Sequence, residues 1–217
     1  MTRLECFFDC SSPWTYLGFH NIQPLAAELG VDIDWRPILV GGLFNTVNPS
    51  VYHSRDNPVP AKARYMVKDL ADWARQCGIE ITWPPSVFPI NSVKAMRGCL
   101  VAARERRLVP YARAAFEAYW GADKDISQDD VLAEIARQAG LDPAALAAGM
   151  AGPAVKDQLK ANTEELARRG GFGSPTFFVG DDMYFGNDRM PLIRAALTRL
   201  SGIGDAATAD RAAAKAP

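Results

Sequence analysis

The sequence predicts an α/β protein whose sheet is assembled from the two ends of the chain, with a large all-helical insertion between them. Three observations carry this reading. Near the N-terminus, an apolar-rich run from Leu4 to Phe8 leads into a helix-spaced segment and then an alternating one, a strand–helix–strand order. Near the C-terminus, two short apolar runs flank Gly180-Asp181-Asp182 and a helical segment follows, a strand–strand–helix order. Between them, Ala61 to Leu166 carries helical periodicity. Residues 1–60 and 170–200 are therefore expected to build the sheet-bearing half and residues 61–169 the insertion. The Ala- and Asp-rich residues 201–217 read as a frayed tail.

Taken in order, the first strand runs into Ser12-Pro13, a hydroxyl at the N-cap and a proline at the first helical position. Leu17, Ile22, Leu25, Ala26 and Leu29 then fall at helical spacing, Gly18 and Pro24 suggest a kink, and Gly30 is a stop signal. Val31 to Trp35 alternates strictly and reads as a second strand, parallel to the first. Arg36 to Pro60 lacks periodicity and holds Gly41-Gly42, Asn48-Pro49 and Asn57-Pro58, so it is expected to be a long functional loop.

Met66, Leu70, Trp73 and Cys77 form a helical stripe closed by Gly78. After the extended Ile79–Val87 piece, Asn91-Ser92 caps a stripe of Val93, Met96, Leu100 and Ala103. A third helix passes through Phe116 and Tyr119, Ser127-Gln128-Asp129-Asp130 resembles a capping box, Asp142-Pro143 starts a short helix, and a last one spans about Val155 to Arg169. Thr176–Val179 and Met183–Phe185 are the strands of a hairpin, and Leu192, Ile193, Ala196, Leu197 and Leu200 mark the final helix.

Composition narrows the function classes. The chain has 217 residues, 48% of them hydrophobic, enough for a sizeable packed core. With 24 basic and 25 acidic residues nothing points to nucleic acid or an anionic membrane as partner. No run approaches the roughly 18 apolar residues of a membrane span, and Arg3, Glu5 and Asp9 break any signal-peptide pattern. Cys6, Cys10, Cys77 and Cys99 show no C-x-x-C pair and no metal-ligand spacing with His20 or His53. They read as free thiols in a reducing, cytoplasmic setting, with Cys10 the candidate reactive thiol and Cys6 and Cys10 on one strand face.

The order strand–helix–strand then strand–strand–helix, with Pro175 just before the hairpin, resembles the thioredoxin fold. The helical insertion resembles its DsbA-type branch. Where that branch has C-x-x-C, this chain has Ser12-Pro13-Trp14-Thr15, so disulfide exchange through the motif is excluded. The serine form is similar to kappa-class glutathione transferases and, more closely, to bacterial 2-hydroxychromene-2-carboxylate isomerases. Phe8-Asp9-x-x-Ser12-Pro13, Gly173-x-Pro175-Thr176 and Phe185-Gly186-Asn187-Asp188-Arg189-Met190 carry the likeness, supported by Trp35-Arg36-Pro37, Pro60-x-Lys62-x-x-Tyr65-Met66 and Asn91-Ser92-x-x-Ala95-Met96-Arg97.

The resemblance implies a homodimer with glutathione as cofactor and an aromatic small molecule as substrate. It implies that Ser12 hydrogen-bonds the glutathione thiolate, that Ser174, before a cis-Pro175, offers its backbone to the cysteinyl part, and that Asn187 and Asp188 hold the γ-glutamyl end. Asn48 matches a glutathione-contacting asparagine of the family at a different spacing. Aromatic-substrate contacts are expected between Arg36-Pro37 and Arg64-Tyr65.

The residues alone leave simpler roles open. Ser12 and Asp188 suit helix caps, Tyr65, Met66 and Trp73 suit a core, and Arg97 and Lys62 suit either surface ion pairs or a substrate carboxylate. Three functions follow: a glutathione-dependent cis–trans isomerase in aromatic degradation, a kappa-like transferase or peroxidase, and a thiol-binding module without turnover.

Overall fold

The computed structural model describes residues 4–200. A four-stranded sheet has the order β2-β1-β3-β4, formed by β1 (Leu4–Phe8), β2 (Ile33–Pro37), β3 (Thr176–Val179) and β4 (Asp182–Phe185). β1 is parallel to β2 and antiparallel to β3, and β3 and β4 make the expected hairpin. The central strands β1 and β3 are buried along their whole length, whereas β4 at the edge is mostly exposed. The period-2 alternation of strands sorts the side chains. Leu4, Cys6 and Phe8 join the main core on one face, while Phe7 meets Phe178, Ile38, Leu43 and Leu166 on the other.

Helix α1 (Pro13–Leu29) starts at Ser12, whose side chain accepts from Thr15 N–H, and stops at left-handed Gly30. The other helices are α2 (Val40–Thr46), α3 (Ser50–Asp56), α4 (Pro60–Cys77), α5 (Val93–Arg104), α6 (Leu108–Phe116), α7 (Asp129–Gln138), α8 (Pro143–Ala151), α9 (Pro153–Arg168) and α10 (Met190–Leu200). A single π-helical turn, Glu117–Gly121, extends α6. The aromatic contacts Phe8–Phe19, Phe19–Trp35 and Phe19–Phe116, at 5.8, 4.7 and 5.2 Å between centroids, carry the core from the sheet through α1 into the insertion. On the opposite sheet face, Arg169, just beyond α9, lays its guanidinium 3.6 Å from the Phe178 ring centroid and pairs with buried Glu5.

Two local expectations are corrected. Arg36–Pro60 is not a loop but holds α2 and α3. The first N–H groups of α2 are satisfied from far away in sequence, Leu39 N–H by Thr163 Oγ1 and Val40 N–H by Asp9 Oδ2, so no local cap announces the helix. The capping box at Ser127 does not form: Gln128 is the N-cap of α7 without a side-chain bond, and Ser127 N–H is held by Asp125. The expected Asn91-Ser92 cap of α5 forms through Asn91, whose side chain accepts from Val93 N–H at 3.1 Å. The tail expected from Ser201 lies outside the described residues.

Candidate functional site

Ser12 sits where β1 has ended and α1 begins, in the lining of a pocket of about 700 Å³. Its Oγ accepts from Thr15 N–H at 3.2 Å, and its hydroxyl donates to Ser174 O across 3.4 Å, near the outer limit for such a bond. Pro13 has no N–H, and among the described residues none accepts from Trp14 N–H. One helix-terminal donor thus stays unused beside Ser12, where the helix dipole favours negative charge.

The facing segment is clamped to this junction. Buried Ser174 Oγ accepts from Asp9 N–H at 3.1 Å and lies 2.8 Å from Thr15 Oγ1, tying the end of β1, the first turn of α1 and the start of β3 together. The Ser174–Pro175 bond is cis. Pro175 lies beneath α1, where only a residue without Cβ fits: a Cβ on Gly18 would stand 2.8 Å from Pro175 Cγ. Among the described residues Ser174 N–H has no acceptor, so a free donor and a weakly used carbonyl stand together on this segment.

Asp9 is a buried acid in the pocket wall. Burial raises its carboxyl above the usual carboxylate value, opposed by N–H groups of Ser11 and Val40, at 2.9 and 2.8 Å, and by the Ser92 hydroxyl. Its two oxygens join the motif after β1 to the start of α2, and so hold the α2–α3 wall in place. That wall presents Phe44, Asn48, Tyr52 and Arg55, and the insertion closes the far side with Met66, Trp83 and Phe88. Asn48 Nδ2 donates to Phe172 O at 3.1 Å, joining the wall to the segment before Ser174.

Of the residues singled out from sequence, Ser12, Asn48 and Ser174 meet in the pocket lining. Asn187 and Asp188 do not line it; they lie on a short 3-10 turn packed against α1. Asn187 is buried with its Nδ2 lacking a partner, and Asp188 is half-exposed and paired with Arg189 at 2.6 Å, not capping α10. Met66 faces the pocket, Tyr65 is exposed to solvent, and neither Lys62 nor Arg97 reaches the lining.

Cys10 is corrected. It lies beyond the end of β1 and is fully buried; burial, the adjacent Cys99 and Asp9 all push its thiol well up, so it is not a reactive thiol. Phe44, Tyr52 and Arg55 fall in the stretch named from sequence for aromatic contacts but were not singled out there, and the wall roles of Asp9, Trp83 and Phe88 escaped the sequence reading. The signal for α3 was present: Pro49 and Pro58 bracket it, and Val51, Tyr52 and Arg55 recur at i, i+1 and i+4.

A family model described as the DSBA-like thioredoxin domain matches residues 3–198. The chain belongs to the DsbA-like thioredoxin-domain family. Among curated relatives, 2-hydroxychromene-2-carboxylate isomerase of Pseudomonas putida is 28% identical over 200 residues, covering 91% of this chain and 95% of the relative. Human glutathione S-transferase kappa 1 is 30% identical over 207 residues, covering 88% of each. A solved 2-hydroxychromene-2-carboxylate isomerase superposes with a TM-score of 0.76 at 26% identity, over 91% of this chain and 95% of that one. The expected DsbA-like architecture with helices inserted between the halves of the sheet is therefore the fold of this protein. In this DsbA-like chain no cysteine lines the pocket; the start of α1 offers the Ser12 hydroxyl there, while buried Thr15 keeps its hydroxyl against Ser174. Among the described residues no helix is long and apolar enough to cross a membrane.

Proposed function

We propose that the pocket binds glutathione with its sulfur at Ser12 and isomerises the double bond of an aromatic keto acid. The reference reaction is 2-hydroxychromene-2-carboxylate to trans-o-hydroxybenzylidenepyruvate. The observation that carries this is the state of the Ser12 hydroxyl. Its oxygen is engaged by Thr15 N–H, while its hydrogen is held only by the long contact to Ser174 O and is free to turn toward a ligand.

The chain's own donors fit a tripeptide thiol. The free N–H and weakly used C=O of Ser174 can pair with an extended peptide as a strand edge would. Asn187, with its buried partnerless Nδ2, and the Asp188 carboxylate stand on the turn packed against α1, outside the lining, and are assigned to the γ-glutamyl end reaching past the pocket; Asn48 is assigned to the pocket wall. When bound, glutathione supplies a thiolate that adds to a conjugated double bond and leaves again after rotation, so it is regenerated.

Ser12 and the first turn of α1 stabilise that charge. A free thiol titrates near pH ~8.5, leaving a few per cent ionised at neutral pH. A hydrogen bond to a charged group contributes about 1.5–3 kcal/mol and a helix terminus about 0.3–1. At about 1.4 kcal/mol per pKa unit these lower the sulfur by roughly one to three units. Ser12 itself is not the nucleophile: no histidine lines the pocket among the described residues, and both Asp9 oxygens already accept backbone N–H groups. Trp14, Phe44, Trp83 and Phe88 exclude water and orient a planar substrate.

Calorimetric titration with glutathione, combined with thiolate absorbance near ~240 nm across pH, tests this in wild type and Ser12→Ala. Binding with a lowered sulfur pKa that depends on Ser12, and substrate turnover without net loss of glutathione, is the expected result. Glutathione consumed in step with product moves the reading to a kappa-like transferase. Binding without turnover leaves a thiol-binding module, and no binding leaves Ser12 as a helix cap.

A further inference from the structure

α3 is a seven-residue helix with no buried residue, so the core does not explain its presence. It nevertheless turns Val51, Tyr52 and Arg55 into the pocket. Two charged residues line that pocket, Asp9 and Arg55. Asp9 has both oxygens occupied by backbone N–H groups. Arg55 differs: among the described residues no carboxylate pairs with it and no hydrogen bond engages it. Its guanidinium carbon lies instead 5.5 Å from the Phe44 ring centroid and 5.6 Å from that of Phe88. The two rings belong to opposite walls, one on α2 and the other in the segment leading to α5.

We propose that Arg55 is the specificity-determining residue of the pocket, binding the carboxylate of a planar aromatic acid that lies among Phe44, Phe88 and Trp83. A guanidinium held against aromatic faces keeps its in-plane N–H fork for another partner, and that fork matches a carboxylate with two parallel hydrogen bonds. The flanking rings fix where the fork stands, so a planar acid stacked beside them presents its carboxylate to it. The pocket thereby selects an anionic aromatic over its neutral isostere. Arg55 takes the role that sequence left open for Lys62 and Arg97, neither of which reaches the lining. This rests on the proposed function in one respect, that the carboxylate belongs to the substrate and not to the glycyl end of glutathione.

The test separates the two. Trp14 and Trp83 line the pocket, so their fluorescence reports occupancy. Wild type, Arg55→Lys and Arg55→Gln are titrated with 2-naphthoate and with 2-naphthamide, with and without glutathione, and glutathione affinity is measured separately by calorimetry. Wild type is expected to bind the acid at least about tenfold more tightly than the amide. Arg55→Gln removes that preference, Arg55→Lys retains part of it, and glutathione affinity is the same in all three. Because α3 buries nothing, circular dichroism should show the variants folded.

Absence of saturable naphthoate binding to wild type, or equal acid affinity in Arg55→Gln, would overturn the proposal. Loss of glutathione affinity in Arg55→Gln with the acid unaffected would also overturn it, assigning the charge to the tripeptide. Acid selectivity that survives when glutathione fails to bind sinks the proposed function and leaves Arg55 as the anion receptor.

Discussion

Gly18→Ala puts the packing beneath the site under direct test. In an exposed helix interior this change stabilises by about 1 kcal/mol, because alanine has the higher helix propensity. Here the added Cβ would stand 2.8 Å from Pro175 Cγ, 3.2 Å from Pro175 Cβ and 3.3 Å from Phe177 Cζ. Carbon contacts are optimal near ~3.5–4.0 Å, so α1 and the Ser174–Pro175 segment must separate by roughly 0.7 Å or more. Overpacking of this kind costs about 1–3 kcal/mol, and after the propensity gain a net loss of up to about 2 remains. With a urea slope near ~2 kcal/mol/M, the unfolding midpoint should fall by up to about 1 M. The Ser12–Ser174 contact, already 3.4 Å, would open beyond hydrogen-bond range, so glutathione affinity should fall along with stability. Equilibrium urea unfolding followed by tryptophan fluorescence measures the first effect and calorimetry the second. A raised midpoint would refute the reasoning, since it would mean that α1 does not press on Pro175.

Other perturbations have equally definite outcomes. Asp9→Asn keeps one acceptor oxygen but turns an amide NH₂ toward a backbone N–H, and should cost about 1–3 kcal/mol in urea unfolding. Its pH dependence has a fixed sign. Burial raises the folded carboxyl above its unfolded value, so its contribution is fully present below the unfolded pKa and is lost as pH rises through the folded one. Asn removes that slope, and parallel curves for the two proteins across acidic to neutral pH would contradict the assignment. Trp120→Phe strands the buried Cys10 carbonyl, which accepts from Trp120 Nε1 at 2.9 Å; a loss of about 1–3 kcal/mol should lower the thermal midpoint. With Ellman's reagent the native protein should show Cys77 as the fast thiol, because Cys6, Cys10 and Cys99 are buried and burial raises the Cys6 and Cys10 thiols. Cys77→Ser should then abolish fast labelling, and rapid reaction at Cys10 would contradict its placement.

Legibility in the sequence followed the range of each interaction. Ser12 bonds Thr15 three residues on, and left-handed Gly30 and Gly78 close α1 and α4, so these helix ends could be read directly. Asp142 caps α8 in the same local way, through Ala144 N–H. Failures came where a backbone group finds a distant partner or a nearer competitor. α2 is capped by Asp9 and Thr163, which no local pattern reveals, and Asp125 takes the donor at Ser127 and preempts the capping box. Gly18 suggested a kink from sequence; in the structure it makes room for Pro175.

By itself the sequence determined the strands and those helix ends whose signals are local, because alternation, helical spacing and side-chain or glycine caps act over a few residues. It also excluded disulfide exchange at the start of α1, because Ser12 and Thr15 carry no thiol. Tertiary structure alone decided that Ser174, 162 residues away, meets the Ser12 hydroxyl, that Cys10 is sealed into the core, and that Arg55 stands uncompensated between two rings. The physical reason is that a pocket is made of contacts between elements remote in the chain. Their charge, burial and free hydrogen-bonding capacity exist only once those elements have packed.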